Sequence, residues 1–476
     1  MKNRRLTFTC LALGGVFISA STARAGGFEI PDNGVRAVGR GGANAVGVDD
    51  LTAVQYNPAL LARQHGKLSL MWDHNLVFHN ESFKRATLSD GWGKDAGTSF
   101  DKVSDKDTFF PLGAFVSGGS DFGLSDETDQ FMFAASIFGP SAYGKQDWPG
   151  YGPQSWMLTE TNLLMLYYSV SAAWQHNDTF GVGITAQWVD MPKMEYELAI
   201  DSDPTTPDPS KVGSLQPIPE KATGTTAPTH LLGKLDLKDR FAPTAILGAF
   251  WRPAPHVDIA ASGRVIPVKL VGRGGVKLDH PELSPEGVKV SLPLTLPMTA
   301  RGGVRYFEDT WDVELDAFWE NWSAIERYDV AMRGQINGVD VKDMRIEKQW
   351  QDTVSIRLGG QYKVLPGVLD LRAGSFVENG AAPKNYSHID FPSFNRLGLG
   401  TGLTWHIQDT GLDLSAGYMH IFQEDRSVSE AGGKQFQQRP LHPCPAECGG
   451  LSGVVANAGD FQTKFDILSF GLDYRL

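Results

Sequence analysis

The sequence predicts an all-β protein: a transmembrane antiparallel β-barrel of about fourteen strands that encloses an N-terminal plug. Three observations predict this fold. An export signal comes first, and no later segment approaches the run of about 18 apolar residues that a membrane-spanning helix needs. The chain after residue 66 then carries fourteen strand-like runs. The joins between these runs are alternately long and short, which is typical of barrels in an outer membrane.

Residues 1–25 have the parts of an export signal. A basic start precedes the apolar core Leu6–Ala20, and Ala23-Arg24-Ala25 forms a small-residue cleavage site. The apolar core is too short to span a bilayer as a helix. Removal of this segment takes away four positive charges and no acids, so the net charge changes from −12 to −16. An exported chain this acidic is a poor nucleic-acid binder, and we expect no nucleic-acid partner.

Residues 26–66 are too polar and too rich in glycine for a membrane strand: GGFEIPDNGVRAVGRGGANAVGVDDLTAVQYNPALLARQHG. The apolar residues follow no period of two, which a strand would require. The composition is typical of short helical turns and loops that stay ordered only inside surrounding walls. We therefore interpret residues 26–66 as a plug and residues 67–476 as the barrel that holds it.

The strand candidates alternate in polarity along their length. Val354, Ile356 and Leu358 alternate with Ser355 and Arg357. An even number of strands is what bacterial barrels require. The fourteen candidates lie near 67–78, 108–116, 130–138, 160–175, 179–200, 231–253, 257–271, 288–307, 310–332, 353–365, 368–379, 394–407, 412–428 and 461–476.

The joins distinguish a membrane barrel from a soluble sandwich, since the strands of both alternate. Odd-numbered joins are long, whereas most even-numbered ones are tight, as at His176-Asn177-Asp178 and Pro366-Gly367. Long loops on one rim and short turns on the periplasmic rim are the outer-membrane pattern, with apolar side chains facing lipid and charged ones facing the lumen. The join at 117–129 does not fit this scheme. Aromatic residues near strand ends, such as Trp322 and Trp405, favour interfacial girdles.

The sequence carries no motif for catalysis. G-x-S-x-G, H-E-x-x-H, G-x-x-x-x-G-K-[ST] and G-x-G-x-x-G are all missing. We therefore predict that the protein is not an enzyme and needs neither a cofactor nor a metal. Two other classes stay open. An outer-membrane lipid hydrolase would bring a Ser and a His together only in space, and a general polar porin would conduct ions freely.

Two cysteines of the mature chain, Cys444 and Cys448, lie close together in the last long loop. Two cysteines in an exported protein most often pair, so we predict a disulfide that staples this loop locally. Free thiols are one alternative. A metal site that adds His442 is the other.

The plug stretch resembles the N-terminal plug of the FadL family, outer-membrane channels for long-chain fatty acids and other hydrophobic molecules. The shared features are the Gly26-Gly27-Phe28 start, a Gly-rich middle, the acidic pair Asp49-Asp50 and then Tyr56-Asn57-Pro58-Ala59. Further along, Phe131–Trp148 looks like the third strand of the family and the kink that follows it. Leu412–His420 is similar to part of the closing section, so the resemblance extends along nearly the whole mature chain.

The resemblance implies passive uptake of hydrophobic molecules in the bacterial outer membrane, through a plugged lumen with a lateral exit near the third strand. Long-chain fatty acids are the first expectation for the cargo, and aromatic or alkane hydrocarbons are the alternative. The implied partners are outer-membrane lipid, lipopolysaccharide, the hydrophobic cargo and the barrel-assembly machinery.

The resemblance also implies roles for particular residues. Phe28, the third residue after cleavage, would insert its ring into the binding pocket, and Asn57-Pro58-Ala59 would close or open the route from it. Gly139-Pro140 would leave a gap in the wall, because Pro lacks the N–H for a ladder bond and Gly bends easily. The alternative is that Gly139-Pro140 merely opens an extracellular turn.

Strand parity predicts a set of lumen-facing arginines. One or two of them could pair with a carboxylate head group of the cargo. The alternative, which we favour, is that they neutralise lumen acids such as Asp312 and Glu314. The four arginines are Arg301, Arg305, Arg357 and Arg396.

Overall fold

Fourteen antiparallel strands close into one barrel. The computed structural model describes residues 33–64, 66–89, 97–105, 109–140, 144–201, 230–279, 285, 287–336, 338–440 and 454–476. The strands are β1 Ser69–Arg85, β2 Phe109–Ser120, β3 Asp129–Phe138, β4 Glu160–His176, β5 Phe180–Asp201, β6 His230–Ala254, β7 Val257–Arg264 with Val268–Leu278, β8 Lys289–Leu296 with Thr299–Phe307, β9 Trp311–Glu320 with Arg327–Arg333, β10 Thr353–Leu365, β11 Leu369–Glu378, β12 Arg396–Ile407, β13 Leu412–Gln423 and β14 Gly459–Arg475.

Each strand pairs with its neighbour in the chain, and β14 returns to pair with β1. That last ladder runs from Ser69 opposite Arg475 to Arg85 opposite Gly459, so the sheet has no open edge where it closes. All fourteen strand candidates are confirmed. Short strands in the joins are Val103–Ser104, Lys145–Asp147, Gln335–Ile336, Val339–Asp340, Met344–Glu347 and Arg426–Val428.

The sense of the alternation is that of a membrane barrel. Val354, Ile356 and Leu358 are 48, 45 and 51 % exposed on the outside of β10, whereas Ser355 and Arg357 between them are buried in the lumen. A soluble barrel would have the opposite arrangement. The structure therefore confirms the prediction that apolar side chains face lipid.

The structure differs from the prediction where β7, β8 and β9 are each broken into two segments. Pro267 lies in the first break and Pro297 in the second, where a missing N–H interrupts the ladder. A short 3₁₀ helix, Trp322–Ala324, occupies the third break. The indole of Trp322 is fully buried there, edge-on to Trp350 at 5.4 Å between ring centroids, so its assignment to a lipid-facing girdle was wrong. Trp405, in contrast, is 53 % exposed.

The irregular join after β2 is shorter than predicted, because β2 continues to Ser120. The join is therefore 121–128. Asp121 and Asp126 organise it, since their carboxylates accept hydrogen bonds from the backbone N–H groups of Gly123 and Thr128.

Residues 33–64, which we call the inner segment, lie inside the ring of strands. The segment contains the helices α1 Val35–Gly39 and α2 Ala53–Tyr56 and the 3₁₀ helix Pro58–Gln64; another 3₁₀ turn, Lys384–Tyr386, lies in an outer loop. No helix among the described residues has the length and apolar character to cross a membrane. The limits of the predicted signal (1–25) and plug (26–66) stay predictions, because residues 1–32 and 65 lie outside the described residues.

Candidate functional site

The lumen wall is apolar in its outer part, which we call the outer cup. The outer segments of β8 and β9 turn apolar side chains inward, while Lys289, Arg327 and Arg333 are exposed on their outer face. This is the reverse of the lipid-facing pattern, so the cup projects into water beyond the membrane and encloses an apolar interior. The inward side chains are Val290, Leu292, Leu294, Leu296, Tyr328, Val330 and Met332.

The periplasmic part of the lumen is charged instead. Arg36 of α1 is 3 % exposed, and its guanidinium lies 3.0 Å from carboxylate oxygens of Asp49, Asp413 and Asp473. The last two acids belong to β13 and β14. The guanidinium therefore fixes the inner segment to the wall through two charge-assisted contacts, and the third, to Asp49, lies within the inner segment.

A second arginine fixes the inner segment to another part of the barrel wall. Arg40 Nη2 lies 2.8 Å from both Asp312 Oδ1 and Glu314 Oε2 of β9. The same strand accepts hydrogen bonds from the backbone N–H groups of Val46, to Glu314 at 2.7 Å, and Ala45, to Asp316 at 2.9 Å. The acids that the sequence placed in the lumen thus bind the inner segment.

Small wall residues make room for the inner segment. A Cβ atom at Gly183 of β5 would overlap the backbone of Pro58, and one at Gly248 of β6 would overlap the side chain of Asn57. Asn57 Nδ2 also donates to the carbonyl of Ala249 at 3.3 Å. The Asn57-Pro58-Ala59 turn is therefore seated directly against β5 and β6.

In the described part of the wall, strand pairing is interrupted after β3. Among the described residues, β3 pairs with β2 only from Ser120 opposite Phe133 to Phe115 opposite Phe138. Its pairing with β4 also ends at Phe138 and resumes at Lys145–Asp147. Gly139-Pro140 follows the last paired residue, and its role in a gap of the wall stays a prediction.

Aromatic rings line the lumen side of this wall break. Phe115, Phe138 and Tyr167 come from β2, β3 and β4 and are all buried. Their rings stack, with centroids 4.4 Å apart for Phe115–Phe138 and 5.4 Å for Phe138–Tyr167. The lumen therefore presents an apolar surface next to the interrupted ladder.

Sequence reasoning missed the residue that joins the inner segment to the wall break. Asn33 Nδ2 donates to the carbonyl oxygen of Gly139 at 2.9 Å, and Asn33 O accepts from the hydroxyl of Tyr56 at 3.0 Å. Asn33 follows Asp32 in a turn-like Asp-Asn-Gly stretch. That local signal says nothing about a partner 106 residues away.

The predicted arginines face the lumen but meet different partners. Arg305 Nη2 lies 3.0 Å from Asp312, and Arg396 Nη2 lies 2.6 Å from Glu378. Arg357 donates to the carbonyl of Gly42 at 3.1 Å and also lies 3.7 Å from Glu378. Ion pairing with lumen acids, the alternative that we favoured, is therefore present for these three arginines.

Arg301 lies among aromatic rings. Its guanidinium carbon is 4.7 Å from the ring centroid of Tyr56 and 4.3 Å from that of Phe318. Ladder partners connect it across the wall, from Phe318 through Ser355 and Glu378 to Arg396. Arg301 and Arg396 therefore belong to one row, and this row lies between the outer cup and the charged part of the lumen.

A buried ion pair joins the outer loops. Lys348 Nζ lies 2.7 and 2.6 Å from the two carboxylate oxygens of Asp390, which also accepts from the hydroxyl of Tyr196 at 3.1 Å. His388 Nδ1 is 2.8 Å from Asp390. Burial lowers the pKa of the His388 imidazole, against the opposing effect of Asp390. Burial by itself would raise the pKa of Asp390, but His388 and Lys348 outweigh it and hold that pKa well below its usual range.

Three predicted residues, Phe28, Cys444 and Cys448, lie outside the described residues. Their roles in the pocket and in a disulfide therefore stay predictions.

The closed barrel, the inner segment that fills it and the outward-facing apolar surface define an outer-membrane channel protein. The sequence of residues 16–451 matches the family model described as "Outer membrane protein transport protein (OMPP1/FadL/TodX)". The chain belongs to this family of outer-membrane transport proteins. The expected resemblance and location are confirmed.

Solved structures share the fold at low sequence identity. A Pseudomonas aeruginosa FadL homologue matches with a TM-score of 0.70 and 15 % identity, covering 94 % of this chain and 100 % of its own. The toluene transporter TbuX of Ralstonia pickettii matches with 0.62 and 13 %, covering 93 % and 98 %. The toluene transporter TodX of Pseudomonas putida matches with 0.60 and 12 %, covering 94 % and 98 %. Among curated protein sequences, none gives a significant match.

Proposed function

We propose that this channel collects long-chain fatty acids in the outer cup and releases them sideways into the outer membrane through the wall break beside β3. The observation that carries the proposal is the change of polarity along β8. Its inward side chains are apolar as far as Leu296, and Arg301 then follows beyond the Pro297 break. A molecule with one long apolar chain and one carboxylate matches this order of surfaces.

Entry of such a chain into the cup is favourable, since each buried CH₂ contributes about 0.8 kcal/mol. Passage straight down the lumen is not. The chain would have to displace the buried contacts of Arg36 and Arg40, and breaking a buried ion pair costs roughly 3–5 kcal/mol. The stacked rings of Phe115, Phe138 and Tyr167 offer an apolar path toward the wall break instead.

Arg301 is the arginine that we assign to the cargo carboxylate, because it lies at the border between the cup and the charged lumen. Arg305, Arg357 and Arg396 would set the local charge through their acidic neighbours. In the same proposal, Phe28 reaches into the pocket and Asn57-Pro58-Ala59 moves when the route opens. The barrel-assembly machinery inserts the chain, and lipopolysaccharide surrounds the cup.

Aromatic or alkane hydrocarbons are the second candidate cargo. Arg305 and Arg396 each lie within 3.0 Å of an acid, as a lumen built for neutral molecules would require. Two of the structural neighbours are toluene transporters. Cleavage of a phospholipid or an ester by the purified protein would instead support an outer-membrane lipid hydrolase.

The test compares oleate and toluene uptake by cells that carry Arg301→Ala. Loss of a hydrogen bond to a charged group costs about 1.5–3 kcal/mol, so the half-saturating oleate concentration should rise roughly 10- to 100-fold while toluene uptake stays unchanged. Arg240→Ala is the matched control, since that guanidinium is 68 % exposed on β6. Equal losses for both cargoes would assign Arg301 to structure. Native mass spectrometry of the detergent-extracted protein would identify any cargo that co-purifies.

A further inference from the structure

Three metal-ligand side chains converge at the outer end of β1. His79 and Glu81 lie on the same face of the strand, and Asp105 comes from the join that follows. One ligand atom of each residue lies within 4.8 Å of the other two. His79 Nε2 and Asp105 Oδ2 are 2.6 Å apart, and the side chains of His79 and Asp105 are 1 and 0 % exposed.

Both carboxylates are held so that one oxygen is left for this cluster. Gln146 Nε2 donates to Glu81 Oε2 at 2.5 Å, and the backbone N–H of Asp147 donates to Asp105 Oδ1 at 2.9 Å. Such outer hydrogen bonds orient the ligands of metal sites. Glu81 is 1 % exposed, and among the described residues its Oε1 has no hydrogen-bond partner.

The charges of the cluster also favour a bound cation. Two buried carboxylates close to each other repel when both are ionised, and a divalent cation would neutralise both. One imidazole nitrogen and two carboxylate oxygens are a ligand set that Zn²⁺ accepts, with water in the fourth position.

We propose that His79 Nε2, Glu81 Oε1 and Asp105 Oδ2 bind one Zn²⁺ ion. Tetrahedral Zn²⁺ places its nitrogen and oxygen ligands roughly 3.3 Å apart, so His79 and Asp105 separate by less than about 1 Å when the ion enters. The imidazole would then carry its proton on Nδ1 and not on Nε2, because the lone pair of Nε2 must face the metal.

The ion would act as a staple at the mouth of the barrel. Gln146 Nε2 also donates to the carbonyl of Ile389 at 2.9 Å, so the cluster connects β1, the Lys145–Asp147 strand and the loop that contains Asp390. Lys145–Asp147 is where the chain rejoins β4 after the wall break. Metal occupancy would therefore fix the outer edge of that break.

Zn²⁺ titration of the full-length, untagged protein in detergent tests the site. The protein is first stripped with EDTA and carries Cys444→Ser and Cys448→Ser, so that thiols cannot contribute. We expect one saturable Zn²⁺ per chain. Glu81→Gln and Asp105→Asn should each weaken the Zn²⁺ affinity by roughly tenfold or more. Heat-modifiable migration on gels reports whether each variant still forms a folded barrel.

His176→Gln is the matched control. His176 Nδ1 lies 2.9 Å from Asp129 in a comparable His–Asp pair, but in the described part of the chain no third ligand group accompanies it. Its substitution should leave the Zn²⁺ affinity unchanged. No saturable binding, or equal binding by Glu81→Gln and Asp105→Asn in folded protein, would overturn the proposal and leave a simple His–Asp hydrogen bond.

Discussion

Asn33 and Gly139 are 106 residues apart in the sequence, and a 2.9 Å hydrogen bond joins the side-chain amide of the first to the carbonyl oxygen of the second. Asn33 begins the described part of the inner segment, and Gly139 is the first residue after the last paired residue of β3. Movement of the inner segment therefore acts directly on the edge of the wall break.

Asn33→Ala should loosen both ends of this contact. Loss of one partner leaves a buried carbonyl without its donor, which costs about 1–3 kcal/mol. Hydrogen exchange should accelerate at the amides of Phe138 and Gly139 and in α1, while heat-modifiable migration stays that of a folded barrel. Asn321→Ala, which removes a hydrogen bond to Asp352 elsewhere in the wall, is the control. Unchanged exchange at Phe138 and Gly139 in Asn33→Ala would show that the hydrogen bond does not restrain the wall break.

The wall break itself can be closed by substitution. Gly139→Val with Pro140→Thr supplies a β-branched residue and the missing N–H, which favours a straighter and better-paired strand. Cargo uptake should fall sharply, because the apolar path beside Phe138 then ends at a continuous wall. Pro267→Thr, at the break in β7, should leave uptake near normal. Normal uptake by a properly assembled double mutant would mean that the cargo leaves by another route.

The sequence was sufficient to predict those features of the fold that depend on neighbouring residues. Polarity alternation in 354–364 identified β10. Once the joins had indicated a membrane barrel, strand parity also predicted that Arg357 and Arg396 face the lumen, where both are buried. Turn chemistry located the short periplasmic joins. These signals depend on two or three neighbouring residues, and the barrel environment reinforces them.

The missing features depend on contacts between distant parts of the chain. Nothing near Leu296 shows that the inward face shifts from even to odd positions across Pro297, since each segment alternates normally by itself. Trp322 looks like any aromatic near a strand end, and only its contact with Trp350 buries it. The pairing of Arg36 with Asp413 and Asp473 joins residues more than 370 positions apart, which no local pattern specifies.

Two glycines of the wall should determine whether the inner segment can pack against β5 and β6. Gly183→Ala and Gly248→Ala each place a methyl group into Pro58 or Asn57, and backbone on both sides limits relaxation. We expect ion conductance in planar bilayers to rise from near zero as the segment shifts. Gly275→Ala is the control, since the nearest atom to its Cβ would be 3.5 Å away. Unchanged low conductance in both substituted barrels would contradict the seating role.

Arg36→Gln should weaken the attachment of the inner segment to the barrel wall. Removal of one partner from a buried charge cluster costs roughly 3–5 kcal/mol, because the acids left behind are uncompensated. Hydrogen exchange across 33–64 should accelerate strongly. Adding Asp473→Asn should recover part of the protection, since it removes one of the unpaired charges. If the second substitution loosens the segment further, the acids do not act through their charge.

Acid should loosen the outer loops through His388. Burial keeps its folded-state pKa below the ordinary value of about 6.5, so the closed loops favour the neutral ring. The stabilisation of the closed loops by neutral His388 is complete above about pH 6.5, the ordinary histidine pKa, and is lost as the pH falls from there toward the lowered pKa. The equilibrium constant for loop opening rises by at most about tenfold for each pH unit in this range. Asp390, whose pKa is also lowered, contributes only below about pH 4, which leaves the range from about 6.5 to 4 to the imidazole.

The groups that face His388 are Asp390, Lys348 and, through Asp390, Tyr196. Limited proteolysis of the 379–395 loop should therefore become faster between pH 7.5 and pH 5 in the native protein and lose this dependence in His388→Gln. His256→Gln, a half-exposed histidine at a periplasmic turn, should keep it. An equally steep acid response in His388→Gln would place the titrating group elsewhere.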